Sequence, residues 1–185
     1  MRELALHIMD IIENGLAAGA SLIQLSVFED RNENWLRITI KDNGRGIPAD
    51  KLQEVMSPFY TTRTTRRVGL GLSLFREASK RCDGEFNIRS KEEAGTEVFA
   101  SFRLDHIDLA PIGDMAGSLT SLIMGNPDVD FVYTHEVDGK VFRLDTREVK
   151  GELEDVPINH PEVIRYLASS IRESLTGMKT GGDHL

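Results

Sequence analysis

The chain has 185 residues, of which 40% are apolar and 28% charged, so it can form one compact domain with an appendage and is not disordered throughout. Its net charge of -8 argues against a protein that mainly coats nucleic acid or an anionic membrane. No apolar stretch is long enough to span a bilayer, and the first residues lack the pattern of a signal peptide. Cys82 is the single cysteine, so no intramolecular disulfide can form, which fits a reducing compartment. Together these features predict a cytoplasmic protein that binds neither nucleic acid nor a membrane.

An amphipathic helix is predicted over residues 2–18. Leu4 and Ile8 begin a series of apolar residues at helical spacing, so one face of this helix must pack on a sheet. The opposite face carries Asp10 and Asn14, which lie four residues apart and therefore along one stripe. Such a stripe is often only solvated, so these two residues become candidates for chemistry only in combination with motifs later in the chain.

The next part of the chain alternates between strands and helices. Period-two alternation of apolar residues predicts strands, and apolar residues three or four positions apart predict helices. The predicted order is two strands at residues 22–28 and 36–41, two helices at 49–56 and 70–82, and two strands at 85–90 and 96–104. Together with the first helix this predicts an α/β (α+β) two-layer sandwich, in which helices cover one face of a mixed sheet.

Residues 105–111 have the composition of a boundary, and the pattern starts again beyond them. The predicted elements there are a helix over 113–124, hairpin strands at 131–133 and 141–144 around Asp138-Gly139, and a final helix over 161–175. We therefore divide the chain into a domain of residues 1–105 and a C-terminal helix-hairpin-helix extension of residues 106–185. The hypothesis is that this extension packs on the core, or binds a protein partner or a second copy of the chain.

Three places in the first hundred residues have patterns suited to a nucleotide. Asp42 ends a strand beside Gly44 and Gly46, where a planar ring has room and the carboxylate can accept from an amino group; a turn-forming aspartate is the alternative. Asn14 offers an oxygen of the kind that Mg²⁺ prefers, or is an ordinary exposed residue. The glycine pair Gly69 and Gly71 lies at the start of a helix whose unpaired N–H groups can hold phosphate, or only marks a turn.

These pieces occur together and in a fixed order, which makes the combination specific. The motifs are Glu13-Asn14 with Ala17-Ala18-Gly19-Ala20, Asp42-Asn43-Gly44-Arg45-Gly46-Ile47, Pro58-Phe59-Tyr60-Thr61-Thr62-Arg63, Val68-Gly69-Leu70-Gly71-Leu72-Ser73, and Gly95-Thr96. They resemble the Bergerat-fold ATPases, the superfamily called GHKL, which includes gyrase, heat-shock chaperones, histidine kinases and mismatch-repair MutL. Residues 59–74 are most similar to the histidine-kinase branch, whereas residues 13–20 also resemble MutL, so the branch stays open.

The resemblance implies ATP and Mg²⁺ as cofactors, and it gives a role to each matching residue. Asn14 is similar to the Mg²⁺-binding asparagine of the family. Asp42 resembles the carboxylate that binds the adenine amino group, and Thr96 joins the same network through water. The other residues implied to line the adenine pocket, to contact the phosphates or to lie in the lid are Ala18, Gly44, Gly46, Ile47, Thr61, Thr62, Arg63, Gly69, Leu70, Gly71 and Leu72.

The position of the general base departs from the family pattern. Hydrolysing branches carry a glutamate four residues before the asparagine, where this chain has Asp10. An aspartate keeps the chemistry but shortens its reach, and a displacement of about 1 Å can cost about 100-fold in rate. We therefore predict Asp10 as a base with slow turnover. His7 lies one turn earlier and either orients Asp10 or has no role.

The lid between residues 62 and 68 is short. Arg63, Arg66 and Arg67 lie in it, and they either supply positive charge to the γ-phosphate or form a solvated patch that docks an acidic partner. The sequence leaves these two interpretations equally weighted.

Two functions are compatible with these residues. The first is a protein kinase acting in trans, or a slow ATPase, whose phosphoacceptor or partner is a protein. The second is a non-catalytic switch in which ATP changes the affinity for a partner. A DNA-repair role of the MutL kind is disfavoured by the acidic charge. Because the sequence starts at the asparagine helix, we expect no dimerising domain with a phosphoacceptor histidine, as histidine kinases have.

Overall fold

The computed structural model of the chain describes residues 3–52 and 71–180. Within these residues the chain forms five helices and six strands. The helices are α1 (Leu4–Ala17), α2 (Gly71–Arg81), α3 (Met115–Gly125), α4 (Thr146–Glu152) and α5 (Pro161–Thr180). The strands are β1 (Leu22–Asp30), β2 (Trp35–Asp42), β3 (Phe86–Lys91), β4 (Gly95–Arg103), β5 (Asp130–Val137) and β6 (Lys140–Asp145).

The strands form one mixed sheet in the order β3-β4-β2-β1-β5-β6. Neighbouring strands are antiparallel except β1 and β5, which are parallel. In β1 and β2 every second residue is buried, so these strands present one apolar face to a covering layer. The predicted two-layer fold with a mixed sheet is therefore confirmed.

The covering layer is held by apolar residues of the helices. Leu4, Ile8 and Ile12 of α1 are almost completely buried against the sheet. Phe75 of α2 is fully buried and lies with its ring centre 5.6 Å from that of Phe102 in β4. Burying one such side chain contributes about 1.5–3 kcal/mol, so α1 and α2 are fixed on the sheet mainly by these contacts.

The hydrophobic core continues beyond residue 105. β5 lies directly beside β1, with Phe131 opposite Ile23 and Tyr133 opposite Leu25. All four side chains belong to one apolar cluster. The hairpin predicted around Asp138-Gly139 connects β5 to β6 within this sheet. The division of the chain at residue 105 stays a prediction, since sheet and core run across it.

The start of α1 is also tied to this later part of the chain. Glu3 precedes the helix but its side chain does not cap it. Instead, the N–H of Leu4 donates to the carbonyl of Pro111 at 2.9 Å, and that of Ala5 to the carbonyl of Ile112 at 2.8 Å. Helix N-termini have unpaired N–H groups, so these two bonds hold α1 in place of a side-chain cap.

Some predictions fall on residues outside those described. The helix predicted over 49–56 lies there from residue 53 onward. The same is true of the lid and of the first part of the predicted phosphate loop, which include Thr61, Thr62, Arg63, Gly69 and Leu70. Among the helices in the described residues, none is both long and apolar enough to cross a membrane.

Candidate functional site

A row of three polar residues crosses the sheet where β2 ends. Asp42 is the last residue of β2 and lies opposite Thr96 of β4, and Thr96 lies opposite Ser90 of β3. Paired residues on neighbouring strands point to the same face, which here is the face that the helices cover. The sheet therefore brings the predicted residues Asp42 and Thr96 side by side, and adds Ser90 to them.

The Asp42 carboxylate is half-buried and already accepts hydrogen bonds from the backbone. Its Oδ1 atom accepts from the N–H of Gly44 at 2.9 Å. Burial raises the pKa of Asp42 above its usual value, although the N–H groups of Gly44 and Thr96 favour the ionised form. A carboxylate that is fixed by the backbone and shielded from water is a strong and well-oriented acceptor for one further donor.

Glycines let the backbone pack closely around this carboxylate. A Cβ atom on Gly15 of α1 would lie only 3.0 Å from the Cβ of Asp42 and 3.0 Å from Ile23 Cδ1. A Cβ atom on Gly44 would lie 3.0 Å from the Cβ of Ala18. The helix α1 can approach the end of β2 this closely only because both positions lack a side chain. The sequence points to Gly15 through its place on the buried side of α1, but the prediction did not include it.

The loop after β2 is closed by two more glycines in the left-handed region. Gly46 has φ +70°, and a Cβ atom there would lie 2.0 Å from the carbonyl oxygen of Lys91. Gly95 has φ +86°, and its Cβ atom would lie 2.0 Å from the carbonyl oxygen of Asp42. No other residue type fits these positions without moving the backbone, so the loop and the end of β2 are held together by contact.

Asn43 fixes the same loop to β1. Its Oδ1 atom accepts from the N–H groups of Ser21 and Leu22, both at 2.9 Å, and its Nδ2 donates to the Ser21 hydroxyl at 2.9 Å. The sequence analysis gave Asn43 no role. Its position after a strand and before two glycines is the only signal that could have indicated one.

Asp10 lies against the start of α2. A Cβ atom on Gly71, the first residue of α2, would lie 2.9 Å from the Cβ of Asp10 and 3.5 Å from its Oδ2 atom. Asn14 follows one turn later on α1 and is exposed. Leu72 is buried, with 7% of the residue exposed. The described part of the predicted phosphate loop is thus placed beside the predicted base.

His7 is a core residue. Its ring is 5% exposed and stacks on Phe75 with 5.6 Å between ring centres. The Nδ1 atom makes no hydrogen bond to any described residue. Burial lowers the pKa of His7 to about 4, so the ring is neutral at pH 7. His7 thus packs α1 against α2.

The described residues contain no group of three or more His, Cys, Asp or Glu side chains that could hold a metal ion by themselves. Asn14 contributes a single exposed amide oxygen. Mg²⁺ keeps several waters and binds through one or two protein ligands when phosphate oxygens complete its shell. Among the described residues, Asn14 therefore fits a Mg²⁺ ion that arrives with a nucleotide.

Comparison with protein families gives a match to the model described as "Histidine kinase-, DNA gyrase B-, and HSP90-like ATPase", over residues 2–106. The sensor protein kinase PilS of Pseudomonas aeruginosa is 34% identical over 91 residues, which are 46% of this chain and 17% of that protein. Sporulation kinase C of Bacillus subtilis is 32% identical over 88 residues, which are 48% of this chain and 20% of that kinase. The chain thus spans a fifth or less of both kinases.

Solved structures resemble the fold over most of the chain. The structure titled "Aquifex aeolicus MutL ATPase domain complexed with ADP" aligns with a TM-score of 0.55 and 17% identity, over 83% of this chain and 68% of that one. The N-terminal domain of a DNA repair protein aligns with a TM-score of 0.55 and 16% identity, over 78% of this chain and 53% of that one. At these identities the likeness concerns the fold alone.

Proposed function

The chain belongs to the family of histidine kinase-, DNA gyrase B- and HSP90-like ATPases, and from this premise we propose that it binds Mg-ATP between α1 and the end of β2. We propose further that it acts on the γ-phosphate, either as a protein kinase in trans or as a slow ATPase. One observation carries the proposal. The half-buried carboxylate of Asp42 stands at the end of a strand, is held by the N–H of Gly44 and keeps further acceptor capacity.

The adenine ring would enter beside Asp42. An adenine presents an amino group whose hydrogens need acceptors, and Asp42 keeps acceptor capacity beyond the bond from Gly44. Gly15 and Gly44 place only backbone beside Asp42, and Ala18 adds a small apolar side chain next to Gly44. Pockets that bind planar ligands combine apolar walls with a few placed polar groups, and this arrangement has that composition.

The phosphates would lie toward α2. The first N–H groups of a helix carry partial positive charge and bind phosphate, and α2 begins at Gly71, next to Asp10. Asn14 would give one oxygen ligand to Mg²⁺, which when bound neutralises phosphate charge. The roles of Gly69, Leu70 and the lid residues Thr61, Thr62 and Arg63 stay predictions of the sequence.

Asp10 would act as the general base. In that role its carboxylate takes the proton from an attacking water in an ATPase, or from a hydroxyl or imidazole of an acceptor protein in a kinase. Its closeness to Gly71, where a Cβ atom would lie 2.9 Å from the Asp10 Cβ, supports this role. The shorter reach of an aspartate predicts slow turnover.

A second candidate, a switch without catalysis, is favoured by one observation. The first N–H groups of α1 are bonded to the carbonyls of Pro111 and Ile112, so a movement of α1 around a bound nucleotide would be passed to the segment that leads into α3. ATP would then change the affinity for a protein partner through contacts that differ between two states. A partner or acceptor protein, a homodimer and a cytoplasmic location belong to the proposal in either form.

The fate of γ-labelled ATP tests the proposal. Purified protein is incubated with the nucleotide and Mg²⁺, and free phosphate, labelled protein and bound intact ATP are separated. Release or transfer of label that Asp10→Asn abolishes, while ATP binding persists, supports an enzyme. Retention of intact ATP for hours, with partner binding unaffected by Asp10→Asn, supports the switch.

Asp42→Asn serves as the binding control in this experiment. The amide replaces one acceptor oxygen with a donor, so affinity for ATP should fall about 100-fold, the size expected for losing a charged hydrogen-bond acceptor. Asp128→Asn, at an exposed site, should leave affinity unchanged. If the wild-type chain binds no ATP, the proposal is wrong in both forms.

A further inference from the structure

A cleft of about 440 Å³ lies at the end of β2 that is remote from the candidate site. The residues that line it are Trp35, Asp83, Arg103, Asp105, His106 and Ile107. Trp35 begins β2, and Arg103 ends β4 directly opposite it. Because β2 has eight residues, about 23 Å separate this cleft from Asp42, and a ligand in the cleft would leave the proposed nucleotide site free.

One wall of the cleft is fixed by a contact between a cation and an aromatic ring. Arg103 Cζ lies 5.4 Å from the centre of the Trp35 ring, and Arg103 Nε lies 3.6 Å from Asp105 Oδ1. The ring attracts the guanidinium, and the carboxylate beside it offsets its charge. Arg103 is therefore already partnered, and together with Trp35 it forms a firm wall.

Asp83 gives the cleft an excess of negative charge. Its side chain is 77% exposed, and its Oδ2 atom lies 3.8 Å from His106 Nε2, too far for a hydrogen bond. The other ring nitrogen of His106, Nδ1, accepts from the N–H of Asp108 at 3.1 Å. The lining has one arginine against two aspartates, so with a neutral His106 it is negative overall. The cleft therefore attracts a cation.

Ile107 protrudes at the same cleft. It is 95% exposed, the largest exposed fraction among the large apolar side chains of the described residues. Hydrogen bonds close the turn that carries it: the N–H of His106 donates to the carbonyl of Arg103 at 3.2 Å, and the N–H of Leu109 to that of His106 at 3.0 Å. Single exposed apolar residues are common, but a fixed turn presents this one beside an aromatic wall. Little conformational entropy is lost when a partner covers a side chain that is held in this way.

We infer that this cleft docks a segment of a partner protein in which a basic side chain lies next to an apolar one. The basic side chain pairs with Asp83, and the apolar side chain covers Ile107 next to Trp35. A protein segment fits better than a small molecule, because Ile107 protrudes and has to be covered from outside, whereas small ligands are enclosed by concave pockets.

A second copy of the chain is disfavoured as the occupant, since each copy has a net charge of -8 and the cleft itself is negative. The inference goes beyond the proposed function and does not depend on it. The cleft shares no residue with the proposed nucleotide site, so docking is measured without ATP.

A random heptapeptide library without tryptophan, displayed on phage and selected on the purified full chain, is the probe. We expect the enriched peptides to contain Lys or Arg next to an apolar residue. Trp35 is the single tryptophan of the chain, so its fluorescence reports binding of the synthesised peptides at this cleft. The inference is overturned if no peptide is enriched, if the enriched peptides lack this pair of residues, or if they leave the Trp35 emission unchanged.

Two variants with matched controls locate the contacts. Asp83→Asn removes the charge and suits the backbone of that residue, which has φ +53°. It should weaken peptide binding about tenfold, whereas Asp128→Asn removes an exposed charge elsewhere and should not. Ile107→Ser should also weaken binding about tenfold through lost apolar burial, and Val156→Ser, at a position 46% exposed, should leave it unchanged. Equal effects of the cleft variants and their controls contradict the inference.

Sedimentation equilibrium tests the choice of occupant. Ile107→Ser should leave the sedimentation of the chain unchanged, because the cleft is not filled by a second copy. Dimers that this substitution dissociates would identify a second copy as the occupant and overturn the inference. A chain that binds the enriched peptides but no ATP would overturn the proposed function alone.

Discussion

Two polar clusters lie on the covered face of the same sheet, and they differ in how deeply they are buried. At the end of β2, Asp42 and Thr96 keep acceptor capacity beyond their bonds within the protein. At the far end of β1, Glu29 bonds to His135, and His135 bonds to Tyr133. A ligand can reach polar groups that are only half-buried, whereas groups buried in the core are out of its reach. The cluster at the end of β2 is therefore the better candidate for a binding site.

The second cluster is almost completely buried, and its members bond to one another. The His135 Nε2 atom lies 2.8 Å from Glu29 Oε1, and Nδ1 lies 2.6 Å from the Tyr133 hydroxyl. Both rings are 1% exposed. Burial raises the pKa of Glu29, but the hydrogen bond and charge of His135 outweigh it, and the pKa is lowered overall. This cluster therefore connects β1 to β5 and is a structural feature.

The largest expected effect comes from removing the half of the molecule that contains β5. A chain ending at Leu104 loses the strand beside β1, the partners of Glu29 and the carbonyls that cap α1. The side chains of Ile23, Leu25 and Val27 then lose much of their cover. Because a domain is stable by only about 5–15 kcal/mol, we expect this fragment to be unfolded or insoluble.

Circular dichroism and a thermal melt check this expectation, with the full chain as the control. A soluble fragment that melts cooperatively and binds ATP normally would show that residues 106–185 are an appendage. The cluster of Glu29, His135 and Tyr133 would then not be needed for folding.

His135→Ala should have the next largest effect. It leaves the Glu29 carboxylate buried without its partner, which costs about 3–5 kcal/mol, and Tyr133 also loses its bond. Urea unfolding at pH 7 measures this loss. His160→Ala, at an exposed position, is the matched control and should change stability by less than about 0.5 kcal/mol. If both variants had an equally small effect, the cluster of Glu29, His135 and Tyr133 would not stabilise the sheet.

Most strands and helices of both regions could be predicted from the sequence, but the pairing of β1 with β5 could not. Alternation of apolar residues indicated β1 at residues 22–28, close to its observed bounds of Leu22–Asp30. The parallel pairing of β1 with β5 joins residues that are about a hundred positions apart, and local alternation carries no information on such a partner. The short helix α4 was missed as well, although Asp145 caps it by accepting from the N–H of Arg147.

The candidate site shows the same division. Asp42, Gly44, Gly46 and Thr96 belong to motifs and were named from the sequence, with roles that stay predictions. Ser90 is one polar residue near the end of a strand, and only the register between β3 and β4 places it beside Thr96. Its 2.8 Å contact with the Thr96 hydroxyl follows from this register, which no local sequence pattern encodes.

Replacing His7 should change how the stability of the protein depends on pH. Burial lowers its pKa from 6.5 to about 4 in the folded chain. The unfolded chain therefore takes up the proton first, so the stability from a neutral His7 is complete above pH 6.5 and is lost as pH falls toward 4. A shift of this size corresponds to about 3 kcal/mol.

In His7→Phe the residue cannot take up a proton, so its stability should fall about 3 kcal/mol less than that of the wild type between pH 7 and pH 4. Urea unfolding at both pH values measures the difference, and His160→Gln is the control because that ring is exposed. Parallel losses in His7→Phe and wild type would show that the His7 ring is hydrated in solution.

The smallest effect isolates the contact that shapes the candidate site. Gly46 and Gly139 both have positive φ, +70° and +82°. A Cβ atom on Gly46 would meet the Lys91 carbonyl oxygen at 2.0 Å, whereas one on Gly139 would meet nothing within 4 Å. Alanine costs about 1–2 kcal/mol in backbone strain at either position, so the difference between Gly46→Ala and Gly139→Ala reports the contact alone.

We expect that difference to be about 2 kcal/mol in unfolding free energy, because the strand ends around Lys91 must move to admit the methyl group. The movement also displaces Ile47 and its bond to Ser90, so Gly46→Ala should weaken ATP binding while Gly139→Ala should not. Equal stabilities and equal ATP affinities would mean that the loop after β2 adapts freely. Close contact with Lys91 would then not be what holds the loop in position beside Asp42.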